Sequence, residues 1–315
     1  MAGEDILVSV IIPTHNRFDC LFRAIESVMS QTHKRIQIIV VDDNYQNNKL
    51  RNSIQEKLEN FDQRITYIAP KRRLGMANAE NEGIEAALGE YIAFLDDDDI
   101  YYPDKIEKQL NFFLNTKNVK LGLVYCFGKI IYPNGTFEYE KTDVAGIQLT
   151  THMMNNVAGT SFWMCKKQAL LDVGMFESIS AHNDGVVILK LMANGYSVDL
   201  VRECLVDYYV HKGKDGITAI SYDTLQADVD YLNICRRYFS LLTEKERQMV
   251  VDHYYDDRNW NLIILRDKEL CIKDFGYMHR DGISLTTRFR CMMRYIFKRF
   301  TIAKENKRLK YRGLE

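Results

Sequence analysis

The order of apolar and polar positions along the chain gives the outline first. Residues 6–12 form an apolar run broken only by Ser9 and ended by Pro13, and residues 36–41 form another that ends at Asp42-Asp43-Asn44. Continuous rather than alternating apolar runs mark strands buried on both faces. Between them Leu21, Ala24, Ile25 and Val28 recur at helical spacing, which predicts a helix over 17–31. The alternation continues with a polar helix over 47–59, a strand over 64–69, a helix over 75–88 closed by Gly89, and a strand over 91–95. Strand and helix alternating at this spacing predict right-handed βαβ units and a mostly parallel α/β sheet flanked by helices.

Past Asp99 the rhythm changes. A helix is predicted from Pro103 to about 114, and strands over 121–132 and 136–139 flank Asn134-Gly135, a strong hairpin signal. A strand over 160–165, a helix over 184–193 and an extended stretch over 197–210 follow. From residue 222 the pattern is helical, over 222–240, 243–265 and 286–309. Residues 1–220 therefore read as one α/β unit with halves at 1–102 and 103–220, and residues 221–315 as a helical extension.

Composition adds little until it is taken by region. The formal net charge of −1 exerts no global pull on nucleic acid or lipid. Residues 285–315, however, hold ten Lys and Arg against two Glu, with Phe289, Met292, Met293, Ile296 and Phe300 at helical spacing among them. A basic amphipathic helix over 286–312 suits an anionic membrane surface. A helix packed on its own domain would show the same pattern. Nucleic-acid binding is not expected, because no recognised module accompanies the charge. The seven cysteines are scattered and include no C-x-x-C, which suggests neither disulfides nor a zinc site and fits a reducing cytosol. No apolar stretch approaches the roughly 20 residues that span a bilayer, and no signal-peptide layout opens the sequence. A cytoplasmic protein, peripheral at the inner face of the membrane, is expected.

The chemistry concentrates where predicted strands end. The strand over 91–95 runs into Asp96-Asp97-Asp98-Asp99. Four adjacent carboxylates repel one another unless a cation or solvent compensates them, and open α/β sheets bind ligands at such strand ends. Neither G-x-G-x-x-G nor a Walker A sequence is present. A ligand held by acids instead of an amide cradle points to a nucleotide diphosphate bound through Mg²⁺ or Mn²⁺, hard cations that share carboxylate and phosphate oxygens.

Four stretches in order carry a resemblance: 8–17 (VSVIIPTHNR), 40–44 (VVDDN), 81–83 (NEG) and 94–99 (FLDDDD). They resemble family 2 glycosyltransferases of the GT-A fold, densely over 6–110 and more loosely to about 220. The resemblance implies an inverting transfer of a sugar from a nucleotide diphosphate sugar, with UDP the expected nucleotide, to a saccharide or lipid-linked saccharide in surface polysaccharide or glycolipid assembly. It puts Pro13, Thr14, His15, Arg17, Asp43, Arg73, Asp96 and Asp97 on the donor, with the Asp43 carboxylate accepting from uracil. It makes Asp98 a metal ligand and lets His211 reach the metal or the diphosphate, with Lys212 beside it. Asp184, before the apolar helix, matches the general base, while Asn183 or Asp184 could equally serve as a helix cap.

Three positions depart from the family pattern. Glu80 stands where the family has Arg, Tyr45 where it has Ser, and Gly185 where an aromatic follows the catalytic acid. Glu80 removes a cation from the donor side and Gly185 opens the acceptor side. Two other readings remain at this point: a sugar-nucleotide-binding pseudoenzyme or assembly subunit, and a nucleotidyltransferase, although the latter's phosphate loop is missing.

Overall fold

The computed structural model describes residues 5–59, 61–179, 181–211 and 220–312. Strands β1 (Val8–Thr14) and β2 (Ile36–Asp42) are buried at every position, as their unbroken apolar runs require. They pair in parallel from Val8 against Ile36 to Thr14 against Asp42. Strand β3 (Ile65–Ile68) continues the parallel set beyond β2, and β4 (Tyr91–Phe94) lies parallel on the other side of β1. Helices α1 (Phe18–Met29), α2 (Asn48–Glu59) and α3 (Met76–Ala86) make the crossovers. The carboxyl ends of β1, β2 and β4 consequently open at one edge.

Two residues of the 81–83 stretch explain how α3 seats on this sheet. A Cβ on Gly83 would meet Ile11 Cγ2 at 2.4 Å, so only glycine allows this approach. Asn81 donates through Nδ2 to the Phe176 carbonyl at 3.0 Å and accepts the Phe176 amide on Oδ1 at 2.9 Å. A helix in the first half thus pins a loop in the second.

The second half turns the sheet mixed. Strands β5 (Ile100–Tyr101), β6 (Leu121–Ile131), β7 (Phe137–Glu140), β8 (Met164–Lys166) and β9 (Ser197–Tyr209) complete nine strands in the order β3-β2-β1-β4-β8-β6-β9-β5, with β7 on β6. β8 is antiparallel to both β4 and β6, while β9 is parallel to β6 with register shifts near Cys126, Phe127 and Gly128. Helices α4 (Lys105–Asn115), α5 (Leu149–Met154), α6 (Lys167–Asp172) and α7 (Asn183–Ala193) cover this part. Trp163, fully buried, stacks on Phe176 at 6.2 Å between ring centroids, and Phe94 meets both rings edge-on.

The strand predicted over 160–165 is shorter than expected. Residues Thr160–Phe162 form a 3-10 turn, because Ser161 is drawn to the amide of Asp96. The α-helices after residue 220 are α8 (Tyr222–Arg237), α9 (Glu244–Ile264), α10 (Lys268–Arg280), α11 (Leu285–Ile296) and α12 (Lys298–Arg312). α10 escapes a periodicity reading because only Cys271, Asp274 and Met278 are buried along it; Asp267 caps it by accepting the Leu270 amide at 2.8 Å. The single helix predicted over 286–309 is two, parted at Phe297. α12 returns to the hairpin, where Asn134 Nδ2 donates to the Tyr311 carbonyl at 2.8 Å and Arg312 pairs with Glu138. Among the described residues no helix is long and apolar enough to cross a membrane.

Candidate active site

The edge where β1, β2 and β4 end collects the acidic residues. Asp97 is buried and held by three donors: the Thr14 hydroxyl at 2.7 Å, the His15 amide at 3.3 Å and the Arg17 guanidinium at 3.1 Å. Arg17 reaches Asp98 Oδ2 as well, at 2.5 Å, and His211 Nε2 stands 2.8 Å from that same oxygen. The His211 contact is at ion-pair distance but off the line of a hydrogen bond, so this buried nitrogen has no aligned partner. Asp99 accepts the Tyr209 amide on Oδ1 at 3.0 Å, while its Oδ2 is buried and unpartnered. The end of β9 is thereby tied to the acid run at two points.

Asp96, Asp98 and Asp99 each offer an oxygen, and the three oxygens lie within 4.8 Å of one another. Burial first, then the charges of Asp98 and Asp97, push the Asp96 carboxyl up to about 7, against the pull of Arg17. Asp99 is driven well above the usual carboxylate range by burial and then by Asp96 and Asp98. This is the behaviour of acids gathered without enough positive charge.

Asp43 has a different job from Asp42. Asp42 is taken up by Asn44 and by the Tyr67 hydroxyl, and supports the turn. Asp43 accepts the amides of Leu74 at 2.6 Å and Gly75 at 3.0 Å, which fastens the loop bearing exposed Arg73 to the end of β2. His15 Nδ1 donates to the Asp43 carbonyl at 3.1 Å and its Nε2 accepts from Asn16 at 2.9 Å. Pro13, buried in register with Val41, closes this corner.

Asp184 stands across the opening, in the first turn of α7. The N-cap is His182, at a left-handed φ of 64°, and its side chain makes no cap hydrogen bond. The Asp184 carboxylate accepts Asn156 Nδ2 at 2.6 Å and the Gly185 amide at 2.8 Å. Burial raises its pKa, and these hydrogen bonds hold it back. Its charge adds to the upward push on the Asp96 carboxyl. Lys212 lies outside the described residues. In the turn before β8, Ser161 accepts the Asp96 amide at 3.0 Å and Gly159 lies beside Asp184.

Two buried side chains add to the site what the sequence did not show: the acid character of Glu80 and the presence of His152. Glu80 is fully buried on α3, its Oε2 without a partner, and it is driven well above the usual range by burial, then Asp96 and Asp184. A substitution that looked like a lost cation is thus an added buried acid on α3. His152 is also fully buried: its Nε2 donates to the Gly185 carbonyl at 2.7 Å, and burial lowers its pKa to about 4, so it is neutral. A lone histidine in an amphipathic stretch gave no signal of this.

A sequence profile described as "Glycosyl transferase family 2" matches residues 9–180. The chain belongs to this family and is a glycosyltransferase. It is 49% identical over 110 residues to an uncharacterized glycosyltransferase of Rickettsia felis, a match that covers 35% of this chain and only 17% of that relative. TuaG of Bacillus subtilis, provisionally named a teichuronic acid biosynthesis glycosyltransferase, is 30% identical over 204 residues, covering 64% of this chain and 78% of TuaG. Among solved structures, Staphylococcus aureus TarS 1-349 in complex with UDP-GlcNAc aligns over 96% of this chain and 92% of that one, with a TM-score of 0.59 and 15% identity. The mannosyltransferase PcManGT of Pyrobaculum calidifontis, in complex with GDP-Man and Mn²⁺, aligns over 96% of this chain and 87% of its own, with a TM-score of 0.59 and 16% identity. The glycosyltransferase shares the GT-A fold of both, with helices added at its C-terminal end.

Proposed function

We propose that this glycosyltransferase moves a sugar, with inversion, from a nucleotide diphosphate sugar of the UDP type to an acceptor hydroxyl in the assembly of a surface polysaccharide or glycolipid. The observation that carries the reading is the short turn that joins the two acids: Ser161 accepts the Asp96 amide at 3.0 Å, and Gly159, two residues earlier, stands beside the Asp184 carboxylate. The names of TuaG and the two solved structures support the product and donor classes.

In this reading Pro13, Thr14, His15, Asp43 and the Arg73 loop receive the nucleotide, and Asp96 faces the ribose. The donor set fits a divalent ion: three mutually close carboxylates, an unpartnered oxygen on Asp99 and an unaligned nitrogen on His211. Asp98 would hold Mn²⁺ or Mg²⁺ with help from His211, and the bound ion would supply charge neutralisation at the leaving diphosphate. Asp184 takes the proton as the acceptor oxygen bonds to C1 of the sugar and the bond from C1 to the diphosphate oxygen breaks. The elevated pKa of Asp184 suits a group that must take up a proton.

The extension over 221–315 is read as a separate helical region that docks on a membrane. Leu285, Phe289, Met292, Ile296 and Phe300 are exposed on α11 and α12, while Thr287 and Cys291 face inward. Lys298 and Arg299 flank that apolar stripe and are exposed too. Apolar side chains that face solvent beside cations suit the headgroup boundary of an anionic cytoplasmic leaflet.

The test is transfer and slow hydrolysis across a panel of nucleotide sugars, with and without Mn²⁺. Metal-dependent turnover that is lost in Asp98→Ala, and acceptor-dependent transfer that is lost in Asp184→Asn, are expected. Full activity without metal would overturn the ion's role, and transfer that survives in Asp184→Asn would overturn the base.

A further inference from the structure

Between the α/β unit and the helical extension lies a cavity of about 180 Å³. Asn156, His182 and Gly185 line one side of it, which are the hydrogen-bond donor to Asp184 and two residues that flank it. The opposite side comes from α8 and α9, with Asp228 and Tyr231 on the first and Tyr254 and Asp257 on the second. The cavity therefore adjoins the carboxylate that faces the acceptor, and its far wall belongs wholly to the extension.

We infer that this cavity is the acceptor subsite and that it holds one uncharged sugar ring. The inference rests on the transferase reading above and names its acceptor. A closed cavity of roughly 150 Å³ holds benzene; at about 180 Å³ and open on one side, this one leaves room for the substituents of one ring but not for a second ring. The lining matches the two kinds of surface a sugar presents. Tyr231 and Tyr254 supply aromatic faces for C–H groups, with Met153, Met154 and Leu232 around them. Asp228 and Asp257 supply carboxylates, strong acceptors for hydroxyl hydrogens.

The same carboxylates give the subsite its selectivity. Asp228 pairs with His182 at 2.9 Å and Asp257 with His253 at 3.2 Å, and among the described residues no Lys or Arg lines the cavity. With Asp184 next door, a uronate or phosphorylated residue would enter a field of its own sign. Gly185 lines the cavity beside Tyr231: a Cβ there would stand in ordinary contact with that side chain, at 3.4–3.6 Å. A large side chain after the acid would fill the space, so the departure at Gly185 and the added wall from α8 belong together. Asp228 also bonds His182, the left-handed residue at which α7 starts.

Saturation-transfer NMR on the full chain tests this with glucose, galactose and N-acetylglucosamine as probes and glucuronate as the anionic comparison. At least one neutral sugar should receive saturation on its ring protons, and glucuronate should receive less. Asp257→Asn, at an exposed position, should weaken that binding about tenfold. Met154→Trp, which fills the cavity without touching a charge, should abolish it, with thermal melts confirming that both variants fold. Saturation of no neutral sugar, equal saturation of glucuronate, or binding that persists in both folded variants would overturn the inference. UDP titration of the unaltered protein with Mn²⁺ separates the two readings. Binding of UDP without any sugar overturns the subsite alone, and binding of sugar without UDP overturns the donor reading alone.

Discussion

Arg17 bridges Asp97 and Asp98 through one guanidinium nitrogen, at 3.1 and 2.5 Å. It is the arginine at this acid run, beside His211, and it stands where a divalent ion would bring charge of the same sign. Arg17 and the ion are therefore competitors for Asp98. Arg17→Gln is expected to bind Mn²⁺ more tightly in calorimetry without nucleotide. Its melting point without metal should fall, by on the order of 2 kcal/mol in stability, less than for a fully buried pair because Arg17 keeps a third of its surface. An unchanged Mn²⁺ affinity would show that the arginine does not hold the ion's place.

Glu80 sets a pH dependence whose sign follows from its burial. Its carboxyl stays protonated in the folded protein well above the ordinary value of 4.5, so the folded state binds more protons than the unfolded chain. Its favourable contribution is complete below that ordinary value and is lost as pH rises towards the folded-state value. Glu80→Gln, which keeps the shape and cannot ionise, should raise the melting point near pH 8 more than near pH 5. Equal shifts at both pH values would mean that Glu80 is solvated.

Asn156 donates to the charged form of Asp184, and removing that donor favours the neutral acid. In Asn156→Ala the acid limb of the rate–pH profile for transfer should move up by about one unit. A limb that stays in place would assign it to another group.

For the tail, the double variant Phe289→Asp and Phe300→Asp should cut co-sedimentation with anionic vesicles by about tenfold or more. Neutral vesicles should bind the unaltered protein weakly, since each exposed cation adds up to ~1 kcal/mol only on an anionic surface. Binding that ignores both changes would return these helices to a partner protein.

Gly83→Ala sets two effects against each other. Helix propensity favours alanine by about 1 kcal/mol, but the new Cβ would stand 2.4 Å from Ile11. Overpacking of this kind costs roughly 1–3 kcal/mol, so the variant should melt lower. A higher melting point would mean that the sheet yields at Ile11.

The first half of the molecule was legible because its strands are buried on both faces and its helices are amphipathic, so each element announces its own period. Residues 8–14 and 36–42 illustrate this. The acid run was legible for the same reason, standing at the end of such a strand. What escaped depends on contacts distant in sequence. Ser161 gives up its strand to serve Asp96, Glu80 meets Asp184 only through the fold, and His152 finds Gly185 across the α5–α7 packing. The cavity wall from α8 and α9 is of this kind too, since neither helix has a pattern that names its neighbour. The break at Phe297 was hidden because apolar spacing continues across it.

The register shifts between β6 and β9 carry a consequence for inheritance of the site. β9 passes through them, at exposed Arg202 and Glu203, before it delivers the Tyr209 amide to Asp99 and His211 to Asp98. Side chains alternate along a strand, so the parity of residues between bulge and strand end decides which of them face the acids. Loss or gain of one residue in that stretch would exchange the two faces of the strand's end at Tyr208 and Tyr209 and so displace His211, which follows two residues beyond it. Point changes can tune this cleft by degrees, but a single-codon deletion here acts as a switch of phase.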